Sequence, residues 1–203
     1  LKLKDGIEDI ELWKSFKAGQ TPAFSLLYRR YVTVLYKYGL RITPDNQLVE
    51  DAIQDLFVDL WKGRENLADP DSVKYYLFIA LRRRVVRCIT SSDNIEQFDN
   101  ENYKHVPYVE SAEHQIVDQE ESGTLLRTVQ SAVANLPLRQ QEVINLRYFH
   151  NFSHPEISEM MGISLQSVHN TLQKAMKSLK QQISPDVNIV VLVSLFFLHD
   201  LSH

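Results

Sequence analysis

Between Gln166 and Lys177 the chain spaces amide, hydroxyl and ammonium groups so that, on a helix, they share one face. Gln166, Ser167, Asn170, Gln173, Lys174 and Lys177 point one way, and Leu165, Val168, Leu172, Ala175, Met176 and Leu179 point the other. Asn and Gln side chains can each make a bidentate pair with adenine, and Lys can neutralise phosphate. Such a face therefore has a reading and an anchoring component suited to the major groove. A solvated face on an ordinary helical hairpin would have much the same composition, so the segment before it decides between the two.

That segment carries local signals of a helix-turn-helix. Ser153 and Glu156 have the spacing of a capping box, in which each side chain serves the other's backbone N–H. Pro155 falls in the first turn, where N–H groups have no intrahelical partner. Ile157, Met160 and Met161 form a buried stripe, and Gly162 supplies the left-handed residue that ends the first helix. Ile163 packs into the elbow, Ser164 caps a second helix, and the apolar period carries that helix to about Gln182.

The rest of the chain frames this motif. With 203 residues, 44% hydrophobic content, six glycines, seven prolines and few alternating β-branched runs, it reads as all-α, with length for one or two domains. One cysteine, Cys88, excludes an intramolecular disulfide framework and a multi-cysteine zinc site, and fits a reducing cytoplasm. The first residues, LKLKDGIEDIELW, are charged and lack the apolar core of a signal peptide. A net charge of −4 conceals a strong asymmetry. Residues 1–90 hold 15 Lys and Arg against 12 Asp and Glu, residues 124–183 hold 6 against 3, and residues 91–123 between them hold 1 against 9. The acidic strip, poor in apolar side chains, reads as a flexible linker. The apolar tail from Val187 is interrupted by Asn188 and Ser194 and ends near Leu198, short of the roughly 20 residues of a membrane span. Burial on its own domain or on a partner is expected for it.

Before the linker, residues 23–41, 48–62 and 72–89 read as helices. The second buries Val49, Ala52, Ile53, Leu56, Leu60 and Trp61 and turns Asp51, Gln54, Asp55, Val58 and Lys62 outward, an acidic face that could dock a basic partner. The third follows Pro70 and sets Tyr75, Tyr76 and Phe78 before Arg82, Arg83, Arg84 and Arg87. Aromatic rings beside clustered cations suit single-stranded nucleic acid, although aromatics at helical spacing also build cores.

In this order the parts resemble the extracytoplasmic-function sigma factors of bacterial RNA polymerase. Asp51, Gln54, Asp55, Phe57 and Trp61 look like region 2.2, which docks on a coiled coil of the largest polymerase subunit. Residues 72–89 look like regions 2.3 and 2.4, which open and read the minus-ten element. LPLRQQEVINLRYF (136–149) with the helix-turn-helix is similar to region 4, which reads the minus-thirty-five element. The sequence departs from the family at Arg83 and Arg87, where Asn and Asp are usual, and at His169 and Thr171, where basic residues are usual.

The resemblance implies a sigma region 2 domain (1–92), an acidic linker (93–121), a region 4 domain (122–183) and a C-terminal tail (184–203). It implies polymerase docking through Asp51, Gln54, Asp55 and Val58. DNA contact falls to Tyr75, Tyr76, Arg82, Arg83, Arg84 and Arg87 in region 2, and to Gln166, Ser167, His169, Asn170, Gln173, Lys174 and Lys177 in region 4. Core RNA polymerase and promoter DNA are the implied partners, with room for an anti-sigma factor. No cofactor, metal or small-molecule substrate is expected. No Gly-rich phosphate loop, zinc-binding histidine pair on a helix or nucleophile elbow marks an enzyme. His150 and His154 are four apart, but Pro155 and the helix start disfavour a metal site. The alternative is a helix-turn-helix regulator acting without polymerase docking. A response regulator would need alternating strands and helices that residues 1–90 do not show.

Overall fold

A computed structural model describes residues 8–92, 128–129 and 131–183. The expected linker (93–121) and apolar tail (184–203) lie outside the described residues, which are helical and contain no strand. The chain divides into two compact units, Leu1–Phe98 and Asp99–His203.

The first unit holds α1 (Asp9–Lys17), α2 (Thr21–Gly39), α3 (Asn46–Gly63), a 3-10 turn (Arg64–Asn66) and α4 (Val73–Ser92). Its core is aromatic and aliphatic: Trp13, Phe16, Leu27, Leu35, Tyr38, Leu77, Phe78 and Leu81 are essentially inaccessible. Residue chemistry sets the helix ends. Pro22 fits the first turn of α2, which begins at Thr21, ahead of the expected Ala23. The Asp45 side chain caps α3 by accepting from the Leu48 N–H at 3.0 Å. At the far end of α2, a Cβ on Gly39 would lie 2.5 Å from Val49 Cγ1, so the absence of a side chain lets α2 close on α3. α4 runs past the expected Ile89 to Ser92, and in this last turn the Thr90 and Ser91 hydroxyls donate to their own helix, to the Val86 carbonyl at 3.0 Å and the Cys88 carbonyl at 2.9 Å.

Polar groups fasten α1 to its neighbours. Asp9 accepts from Arg30 Nη1 at 2.5 Å and from the Tyr31 hydroxyl. Burial, then the bond to Asp9, pushes the Tyr31 phenol well above its ordinary range. Trp13 Nε1 donates to the Ala68 carbonyl at 3.2 Å, and Lys17 pairs with Asp69 at 2.7 Å, holding the loop before α4 against α1.

In the second unit, a helical stretch ending near residue 134 precedes α5 (Leu138–Ile144), which passes into a π-helical turn (Asn145–Phe149). α6 (His154–Met161) and α7 (Leu165–Gln182) follow. Pro137 separates the first stretch from α5, and the buried Gln141 amide donates to the Leu136 carbonyl at 2.8 Å and the Ala134 carbonyl at 3.3 Å. Those bonds satisfy carbonyls that the break leaves over. α7 packs on α5 and α6 through Val168, Leu172, Ala175 and Leu179, all buried.

Candidate nucleic-acid interface

The elbow before α7 is built from side chains bonding to nearby backbone. Glu156 accepts from the Ser153 N–H at 2.7 Å while Ser153 Oγ faces the Glu156 N–H, completing the capping box. Gly162 ends α6 in the left-handed region at φ 65°. The Ile163 N–H then reaches the Ser158 carbonyl at 3.1 Å, and the Ser158 hydroxyl reaches the Ile163 carbonyl at 2.6 Å. Ser164 Oγ accepts from the Ser167 N–H at 3.1 Å and starts α7. Ile157, Met160 and Met161 are buried beneath this turn.

The turn leaves α7 with a polar outer face. Gln166, Asn170, Gln173, Lys174 and Lys177 are exposed, and Ser167 and His169 are half-buried. Gln166 Nε2 donates to Asn170 Oδ1 at 2.9 Å, which joins the two amides before any base arrives and leaves each a free amide group. The Thr171 hydroxyl turns inward to the Ser167 carbonyl at 2.7 Å. Leu165 corrects its expected place on the inner face: it is 46% exposed. It follows the Ser164 cap directly, in a first turn that overhangs the elbow, and Val168 is the first side chain of α7 to reach the core.

The histidines also pair differently from their spacing. His150 is buried, with its ring 4.5 Å from Phe149 and 6.1 Å from Phe152 between centroids. His154 meets His169 across the elbow: Nδ1 of the first lies 3.2 Å from Nε2 of the second, with ring centroids 4.3 Å apart at 80°. No local sequence signal marks a contact spanning a turn and two helices.

In the first unit, Asp51, Gln54, Asp55 and Val58 lie on the exposed side of α3, and Val58 is 45% exposed. Tyr28 of α2, 37% exposed, packs edge-on against Phe57 at 4.9 Å and extends the outer apolar surface in a way the α3 pattern alone did not reveal. Trp61, placed by its spacing on the inner face, is half-buried and carries the Arg64 guanidinium 4.7 Å above its ring. On α4, Arg83 and Arg87 are exposed and Arg82 is half-buried. Arg84 reaches back to α3, 2.5 Å from Asp59 and 3.6 Å from Asp55. Phe78, grouped by sequence with the base-stacking aromatics, is wholly buried and stacked on Tyr38 at 4.8 Å, so it belongs to the core. Tyr75 and Tyr76 are half-buried, and Tyr76 packs edge-on against Trp13 at 5.2 Å.

Two family models match these units: Sigma-70 region 2 over residues 27–95, and Sigma-70, region 4 over residues 126–179. Together they span well over half of the chain. Among curated relatives, RNA polymerase sigma factor YlaC of Bacillus subtilis (strain 168) is 28% identical over 166 residues, covering 78% of this chain and 90% of its own. ECF RNA polymerase sigma factor SigK of Mycobacterium ulcerans (strain Agy99) is 22% identical over 174 residues, covering 83% and 90%. The chain belongs to the extracytoplasmic-function sigma factors. As such it binds core RNA polymerase and directs promoter-specific initiation at the minus-ten and minus-thirty-five elements. This sigma factor shares its fold with CnrH, solved in complex with the cytosolic domain of CnrY, at a TM-score of 0.54 and 20% identity, covering 88% of this chain and 99% of that one. Among the described residues no helix is long and apolar enough to cross a membrane.

Proposed function

We propose that the outer face of α7 reads the minus-thirty-five element, with Gln166, Ser167, Asn170 and Gln173 at base edges, His169 beside them, and Lys174 and Lys177 on phosphate. The observation that carries this reading is the exposed Gln166–Asn170 amide pair, held at 2.9 Å on a helix whose start is fixed by the Ser164 side-chain cap. Whichever way the amides are turned, the pair keeps a free donor and a free acceptor, the pattern that adenine requires in the major groove. Leu165, exposed at the start of the same helix, is suited to a thymine methyl.

In the first unit Asp51, Gln54, Asp55 and Val58 form the polymerase-docking surface. Arg82, Arg83, Arg87, Tyr75 and Tyr76 serve the minus-ten element, and Arg84 contributes from its ion pairs with α3. The region 2 domain spans 1–92, the acidic linker 93–121, the region 4 domain 122–183 and the tail 184–203. The protein acts in the cytoplasm, without enzymatic activity, and an anti-sigma factor is a fitting further partner. The CnrH complex supports that last point only in that a chain of this fold is held there by a second protein.

Asn170→Ala and Lys177→Ala, each compared with the parent in holoenzyme on randomised promoter libraries, test the face. Loss of a base contact should cost about 1–3 kcal/mol at one position, whereas loss of a phosphate contact should weaken all sequences alike. The same uniform loss from both variants would remove α7 as the reader.

A further inference from the structure

Two imidazoles that meet through ring nitrogens need one hydrogen between them. With both rings neutral, one contact nitrogen of the His154–His169 pair donates and the other accepts, which leaves one outer nitrogen a donor and the other an acceptor. One added proton preserves the contact, makes both outer nitrogens donors and gives the pair a single positive charge. A second added proton sets N–H against N–H and breaks the contact. The middle state thus has two outward donors and one charge, which suits a phosphate oxygen, an acceptor only.

The surroundings of His154 disfavour its charged form. Burial chiefly, then His169 and Arg147, holds His154 below its ordinary pKa. α7 and the π-helical turn are the elements packed on α6, and Arg147 is the charged group that the turn brings to bear on His154. On α6 itself, Glu156 is committed to Ser153 at 2.7 Å and 2.6 Å. On α7, the neighbours of His169 toward the outer face, Gln166, Asn170 and Gln173, carry no charge, and the nearest cations along the helix are Lys174 and Lys177.

We propose that His154 and His169 form one proton-coupled contact to a promoter backbone phosphate, taking up a proton when DNA binds, with His154 setting the tautomer and charge of His169. The inference rests on the outer face of α7 lying against DNA. It assigns His154, on the other helix of the motif, to the interface. It also gives this chain a titrating cation where its family usually has a permanent one. An approaching phosphate raises the affinity of the pair for its proton, so DNA binding strengthens as pH falls from the bound-state pKa toward the lower free-state pKa.

The test is the pH profile, from 7.5 to 6.0, of holoenzyme binding to a promoter duplex that the holoenzyme itself has selected from a randomised library. Relative to His154→Asn, the parent should gain about threefold to tenfold in affinity across that range, the ceiling being tenfold per unit for one proton. His169→Arg should bind with a flat relative profile, because its charge is permanent. The double variant His154→Asn, His169→Gln should be no flatter than the single one. Parallel profiles for parent and His154→Asn would overturn the proposal, and so would an equal loss of binding at every pH. Imidazole nitrogen spectra of the full parent chain need no variant: they should show two coupled protonation steps, and independent titration of the two rings would also refute the pair. Asn170→Ala in the same assay separates the layers. An unchanged base preference in that variant defeats the reading of α7, whereas a shifted preference with parallel pH profiles defeats the histidine contact alone.

Discussion

Asp51 and Asp55 occupy the same exposed side of α3, yet they are not equivalent probes of docking. Asp51 accepts from Gln47 on its own helix at 3.0 Å, whereas Asp55 lies 3.6 Å from Arg84 of α4. Reversal to Lys at position 55 therefore also sets two cations together inside the unit. Asp51→Lys is the cleaner variant: it should greatly reduce co-purification with core polymerase while leaving the helical circular dichroism unchanged. Wild-type co-purification would remove Asp51 from the docking surface. Exposed charges of this kind act mainly on association rate and selectivity, so the loss should be larger at low salt. At this scale, the sequence was readable wherever a side chain acts on its near neighbours. Asn170 and Gln166 are one turn apart and their shared face follows from helix period alone. His154 and His169 are brought together by a turn and two helices, and no period links them. Phe78 shows the converse limit: helical spacing put it beside Tyr75 and Tyr76, but only the packing of α2 on α4, with Tyr38 against its ring, shows that it is core.

At the scale of elements, the helix-turn-helix depends on two local devices that can be removed singly. Ser153→Ala removes the side-chain half of the capping box and should cost about 1 kcal/mol in stability of the second unit. Gly162→Ala should cost about 1–2 kcal/mol from backbone strain alone, since nothing lies within 4 Å of the added methyl. Gly39→Ala in the first unit differs in mechanism, because its methyl would meet Val49 at 2.5 Å and must push α2 from α3. Its cost should fall when Val49 is trimmed to Ala, whereas the cost at Gly162 should be indifferent to that change; calorimetric unfolding of the single and double variants checks both. Cap residues and the stop glycine were plain in the sequence because capping is decided within four residues. The π-helical turn at Asn145–Phe149, the exposure of Leu165 and the return of Arg84 to α3 were not, because each depends on where another helix lies.

For the whole molecule, charge asymmetry is the property that sequence alone makes visible. A strip with 1 basic and 9 acidic residues separates two blocks that are each mildly basic. We propose that it competes with DNA for those blocks until polymerase binds. Converting Glu113, Asp118, Glu120 and Glu121 to amides should raise binding of free protein to promoter DNA at low salt and have less effect near physiological salt, where charges are screened beyond roughly 8 Å. Equal affinities in a low-salt gel shift would leave the strip a passive spacer.

With the proposed docking surface on α3 and the proposed DNA contacts on α4, the guanidinium of Arg84 would make docking and promoter opening a matter of exchange. It spans Asp59 and Asp55, so a polymerase cation that engages Asp55 takes over a bond that α4 now holds. The exchange is cheap because the carboxylates are 61% and 70% exposed, and such pairs are worth about 0.2–1 kcal/mol. A double-mutant cycle of Asp55→Asn and Arg84→Gln should therefore show little coupling in unfolding of the free protein, but measurable coupling in open-complex formation. On that account, a weak surface bond works as a relay: the act of joining polymerase releases a cation on the helix assigned to DNA.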